Sequence, residues 1–324
     1  IIAHLAVGHA VWVGYFLMPF FVVLCLKLVE GEKAGWGWVM GMSLLLLGFF
    51  LQGAFHFVLW GLIFLVVLAL FYPRFAGPCV KAILFGILVS LVRILPPVVT
   101  FFNGGVQFFS GFVSVTDMLA ALVVLKAPAE ALVGPNHALG WWELDTYIGL
   151  IGLAFLLFYG LYRTLKRNLI FLPLFAPIFS LAFLSIGKIY YPITRLPIPM
   201  ADSERITSRF LIVPLVFLVV LAAVELQRAL AEAGKRGIRE RLLFLSLLVL
   251  LGHDLFQHSR IWRVTNLYLL FPRTPVDITS PVLNHPDPPY TTALAVGALL
   301  SLLTITVLAI LSWRERHRPA QLNP

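Results

Sequence analysis

No Asp, Glu, Lys or Arg occurs between Lys33 and Arg74. A helix rises about 1.5 Å per residue and a bilayer core is about 30 Å thick, so this run exceeds one straight span. Gly48, Gln52, Gly53 and His56 interrupt its middle. The pattern predicts two short helices, about 38–51 and 54–72, joined near Gln52-Gly53.

Composition shows that this run is typical of the chain. Of its 324 residues, 60% are hydrophobic and only 12% are charged, with a mean hydropathy of +0.95. A soluble fold has about twice that share of charge. Disordered, collagenous and disulfide-scaffold classes are excluded, and a polytopic membrane protein remains. The apolar runs lack period-2 alternation, which favours helices over a barrel. The expected fold is all-α, a transmembrane helical bundle.

Further spans are expected at about 7–28, 78–97, 146–163, 168–187, 209–228, 241–256 and 290–313, giving about nine membrane segments with the two short helices. They form a single transmembrane helical domain over 1–324. The chain opens on Ile1 with no basic leader, and reads as lacking its N-terminal part. Fifteen of the 24 basic residues fall in the C-terminal tail and four short loops. This places those loops and the C-terminus on the cytoplasmic side. The net charge of +9 is thus topological, and no nucleic-acid-binding motif accompanies it.

Three longer outer loops remain, about 98–145, 188–208 and 257–289. With their flanking helix ends they hold Asp117, Glu130, Glu143, Asp145, Asp202, Glu204, Asp254, Asp277 and Asp287. Long loops on one side of a scaffold are where function concentrates. Arg93 stands before Pro96-Pro97, which should end its helix; it is either a snorkelling anchor or a cation for a lipid phosphate. Glu143 and Asp145 follow Trp141-Trp142. Asp145 is either a helix N-cap or, with Glu143, a carboxylate serving a polar substrate.

The stretch 187–210 carries Lys188, Arg195, Arg205 and Arg209 on the side where positive charge is not required. Arg205 and Arg209, at i and i+4, should share a helix face. With Glu204 nearby they form either a loop-pinning ion network or a phosphate-binding pair. His253-Asp254 follows an apolar run of only about 17 Å, which puts both at membrane depth or beside a wet cavity. A helix that ends early would explain the same pattern. His56, His4 and His9 are either packing residues or ligand contacts. None has metal-ligand spacing, and Cys25 and Cys79 read as buried thiols. No cofactor is implied, and a divalent metal is left open.

Three stretches, LLLLGFFLQGAFHFVLWGLIFLVV, WWELDTYIGLIGLAFLLFYGLY and LPIPMADSERITSRFLIVPLVFLVVLAAVEL, resemble the membrane half of bacterial GT-C-type glycosyltransferases over about 38–230. The resemblance implies use of a polyprenyl-phosphate-linked sugar at the outer face of the inner membrane. It implies lipid-phosphate contacts at Arg205, Arg209, Arg93 and Lys188. Substrate contacts would fall at Glu143, Asp145, Glu204, His253, Asp254 and His56. The family's usual catalytic acid lies in a first outer loop that this chain lacks, so no catalytic base is carried over. Membrane lipids and other membrane proteins are the expected partners. A transporter or lipid flippase, or a non-catalytic membrane subunit, are the competing readings.

Overall fold

The computed structural model describes residues 10–31, 34–100, 109–125, 143–196, 204–233, 238–263 and 287–317. In chain order its main helices are α1 (Met18–Val29), α2 (Trp36–Leu51), α3 (Phe55–Phe71), α4 (Ala76–Val89) and α5 (Leu91–Thr100). There follow α6 (Val115–Val123), α7 (Gly149–Phe155), α8 (Leu172–Leu184), α9 (Gly187–Tyr190), α10 (Ile212–Ala233), α11 (Ile238–Ile261) and α12 (Pro288–Arg316). No strand occurs among the described residues, only two isolated bridges.

Five helical stretches are long and apolar enough to cross a membrane: Trp12–Val29, Gly149–Arg167, Thr207–Glu232, Arg241–Ile261 and Pro288–Arg316. Pro73–Val89 and Leu91–Thr100 make a sixth if taken as one span bent by 65°. Trp36–Leu51, Phe55–Phe71 and Leu169–Leu184 are shorter apolar helices. The chain is therefore an all-α membrane protein. Large apolar side chains face outward along the spans, among them Phe20, Leu243, Val249 and Leu302. Water would penalise that surface and lipid does not.

Contacts divide the chain into two compact units. One comprises 13–105 and 274–324. Its interior is aromatic: Phe21 meets Phe64 edge-on at 5.5 Å, and Phe49 stacks on Phe57 at 5.5 Å. Cys25 and Cys79 are fully buried free thiols, as expected. The two short helices are joined through Gly53, at φ +72°, where a side chain would be strained. Ala293, Gly297 and Ser301 place small residues along one face of α12. A Cβ on Gly297 would come within 2.5 Å of the Leu91 carbonyl oxygen, and Ser301 Oγ accepts the Val92 N–H at 3.1 Å. Such close backbone approach is how helices associate without a hydrophobic driving force.

One expectation fails in this unit. The prolines after Arg93 do not end a helix: Pro96 and Pro97 lie inside α5. The break falls earlier, at Ser90. The chain turns by 65° there, so α5 begins afresh and carries its prolines near its own end. Arg93 is exposed on α5.

The other unit comprises 1–12 and 106–273. Its α7 continues as a π-helical stretch, Leu156–Arg163. Its core joins Phe112, Leu122, Leu144, Ile186, Leu211 and Trp262. Those residues come from helices and from the loops between them, so this core fixes loops as well as helices.

Candidate functional site

Three short segments of the second unit pair through their backbones. Ser110 N–H donates to the Arg205 carbonyl (2.7 Å), and Thr207 N–H donates to the Ser110 carbonyl (2.9 Å). Phe112 N–H donates to the Ser185 carbonyl (3.1 Å), and Gly187 N–H to the Phe112 carbonyl (3.0 Å). Residues 110–112 thus lie between 185–187 and 205–207. Gly111 is required there by space: a Cβ would overlap Thr207 Oγ1 and lie 2.9 Å from Gly187 Cα.

This pairing forms one wall of an open pocket of about 260 Å³. Phe109–Val113 line one side, and Gly187, Lys188 and Tyr191 line the other. Lys188 is exposed and has no ion-pair partner among the described residues. Arg195 donates to the Tyr191 hydroxyl at 2.8 Å and lies over that ring.

The same pairing separates Arg205 from Arg209. The segment enters a 3₁₀ turn, Thr207–Leu211, rather than an α-helix spanning both. Arg205 is exposed while Arg209 is buried, so the expected shared face does not exist. Arg209 instead forms a two-pronged pair with Glu143: Nε to Oε2 at 3.0 Å, Nη2 to Oε1 at 2.7 Å. Trp12 covers the guanidinium at 5.6 Å, and Ser208 Oγ donates to the Glu143 carbonyl. Both pair members are buried, so the pair clamps the two segments together. Glu204 is fully buried, with Oε1 accepting from Ile206 N–H at 3.4 Å.

Asp145 is not a helix N-cap. Helix α7 starts at Gly149, and its cap residue Ile148 makes no side-chain cap bond. Asp145 faces the C-terminal end of α11 instead. Its Oδ2 lies 2.8 Å from His258 Nε2 and accepts from Trp262 Nε1 at 2.5 Å. Its Oδ1 accepts from the Tyr147 N–H at 3.1 Å. Tyr147 stacks on the His258 ring at 4.9 Å. Gly149 has φ +74°, and a Cβ there would lie 2.9 Å from Asp254 Oδ2 and 3.3 Å from the Tyr147 hydroxyl. The glycine therefore lets the phenol and Asp254 sit in one niche. Burial raises the Tyr147 pKa above its usual value, with further contributions from the Asp254 and Asp145 charges.

Helix α11 continues to Ile261, past the point where an early end was considered. His253 and Asp254 therefore lie on a continuous helix. His253 has a 62% exposed side chain that meets Gln257 and lies 4.0 Å from Asp254 Oδ1 through Nδ1. Asp254 lies with His258 and Trp262 at i, i+4 and i+8, a single helix face. His258 was absent from the expected site; the four-residue repeat was its available signal. His56 is buried beside Phe55 and Trp60 in the other unit. His4, His9, Glu130, Trp141, Trp142, Asp202 and Asp277 lie outside the described residues. Among those described, no three His, Cys, Asp or Glu side chains group to hold a metal.

No family model, curated protein or solved structure matches the chain.

Proposed function

We propose that the chain is a GT-C-like membrane glycosyltransferase that takes its sugar from a polyprenyl phosphate. The pocket beside Lys188 carries this reading. It combines an exposed ammonium with aromatic walls, the chemistry that suits a phosphate followed by a sugar. Lys188 replaces Arg209 as the phosphate contact, and Arg205, adjacent to the paired wall, is a second cation of that region. In this reading the pocket faces the outer surface of a bacterial inner membrane and the C-terminus is cytoplasmic. Membrane lipids cover the spans.

The test is binding of decaprenyl-phosphate mannose and decaprenyl-phosphate glucose to the purified protein in nanodiscs. Lys188→Ala should weaken binding about tenfold, the loss of one charge-assisted contact. Unchanged affinity in Lys188→Ala, or no binding by the wild type, would overturn the reading. A non-catalytic membrane subunit is the second reading. It rests on the central window of α11, which buries no residue within the chain. Co-purification of another membrane protein, lost on polar substitution of Leu243 and Val249, would favour it.

A further inference from the structure

Glu143 and Asp145 are two residues apart, yet they have opposite surroundings. Glu143 is consumed by Arg209. Asp145 is also nearly buried, at 7% side-chain exposure, but its partner is a side chain that can exchange a proton. Two side-chain nitrogens and one backbone N–H converge on its carboxylate. An ionised carboxylate only accepts hydrogen bonds, so the 2.8 Å contact with Oδ2 assigns the His258 proton to Nε2, and the Trp262 N–H, 3.2 Å from that nitrogen, is directed at Oδ2 (2.5 Å) instead. That leaves Nδ1 as the basic nitrogen, and it has no hydrogen-bond partner among the described residues. The ring is 22% exposed, so it is held but reachable.

From this geometry we infer that His258, oriented by Asp145, is the acid–base residue of the chain and takes the proton from a hydroxyl acceptor. Asp145 is a positioning residue: it fixes the tautomer and balances the imidazolium. The Tyr147 ring limits rotation of the imidazole by stacking on it. Trp262 anchors the C-terminal end of α11 in a core that also contains Phe112 and Leu144. Phe112 lines the Lys188 pocket as well, so one packed core supports both features.

For the transfer itself the inference rests on the glycosyltransferase reading. The acceptor O–H proton passes to His258 Nδ1. The acceptor oxygen bonds to the sugar anomeric carbon, and the bond from that carbon to the phosphate oxygen breaks. The electron pair leaves on the polyprenyl phosphate, and nothing is oxidised or reduced.

The experiment follows hexose release from decaprenyl-phosphate mannose and glucose to water or added glycerol, with the full chain in nanodiscs. His258→Gln keeps an N–H for Asp145 but cannot act as a base. It should retain donor binding and lose about 10²–10³-fold in release rate. Asp145→Asn should lower the release rate constant while leaving the donor KM unchanged, because it removes the carboxylate acceptor that orients the imidazole. Release within threefold of wild type in His258→Gln overturns the inference. So does a wild type that binds donor but releases no hexose. If the wild type binds no donor, the glycosyltransferase reading falls, and ¹⁵N-histidine NMR decides the site separately. A protonated Nε2 with a titrating Nδ1 sustains His258 as an acid–base group. A protonated Nδ1 removes it.

Discussion

Buried charge lies on one side of the division between the two units. Among the described residues Glu143, Glu204, Arg209 and Glu225 are the buried Asp, Glu, Lys and Arg residues, with the Asp145 side chain nearly buried beside them, and all belong to the unit containing α6–α11. The other unit buries Ser43, His56, Ser90, Ser301 and Ser312 among aromatic and aliphatic side chains. A charge removed from water costs several kcal/mol unless it is paired and hydrogen-bonded. Packing small residues against a neighbouring backbone carries no such cost. One unit is therefore built by contacts that any apolar bundle can make. The other holds polar groups that a purely structural bundle does not need, and the acid–base pair and the Lys188 pocket both lie in it.

The largest effect should come from breaking the buried pair on one side only. Arg209→Met leaves Glu143, which is 1% exposed in its side chain, without its two charge-assisted bonds. The expected loss is about 3–5 kcal/mol in SDS unfolding of the purified protein. Adding Glu143→Gln should recover much of it, because the stranded charge disappears. If Arg209→Met alone costs less than about 1 kcal/mol, the pair is not the clamp described, and the contrast between the units weakens.

In the apolar unit the corresponding break is steric. Gly297→Val would press a branched side chain into the Leu91 carbonyl and separate α12 from α5. Overpacking of this kind costs about 1–3 kcal/mol. Its effect should be insensitive to salt and pH, unlike changes around Asp145. The same unfolding titration at two ionic strengths checks this. A strong salt dependence would mean that α12 and α5 are held by something other than the contact at Gly297.

Much of the helical layout was legible from where charges interrupt the apolar runs, including the two short helices about Gln52-Gly53. Two of the errors share a cause, since each read a local rule where a distant partner decided. Asp145 has the composition of a cap, but His258, 113 residues away, claims it. Arg205 and Arg209 have helical spacing, but the bridge from Ser110 to Ile206 sets the backbone there. Pro96 and Pro97 ordinarily stop a helix, but Ser90 had already broken it. Lys188 was singled out because a charge in a segment expected to be an outer loop is visible in sequence. His258 was missed because its partner lies on another element, and only the Asp254–His258–Trp262 spacing hinted at a shared face.

The smallest effect tests how closely the niche around Asp145 is coupled. Tyr147 has a raised pKa, caused first by burial and then by the charges of Asp254 and Asp145. A tyrosine whose folded value lies above its unfolded one favours the folded state in its protonated form. That contribution is complete below the ordinary value of 10.0 and is lost as pH rises through the folded value. Wild-type stability should therefore fall as pH rises above 10.0, and Tyr147→Phe should flatten part of that fall. Asp254→Asn should lower the tyrosinate onset seen by ultraviolet absorbance, because it removes the larger of the two charges facing the phenol. An onset unchanged in Asp254→Asn would separate Tyr147 from Asp254. The cluster would then contract to the Asp145–His258 pair, which stands on its own hydrogen bonds.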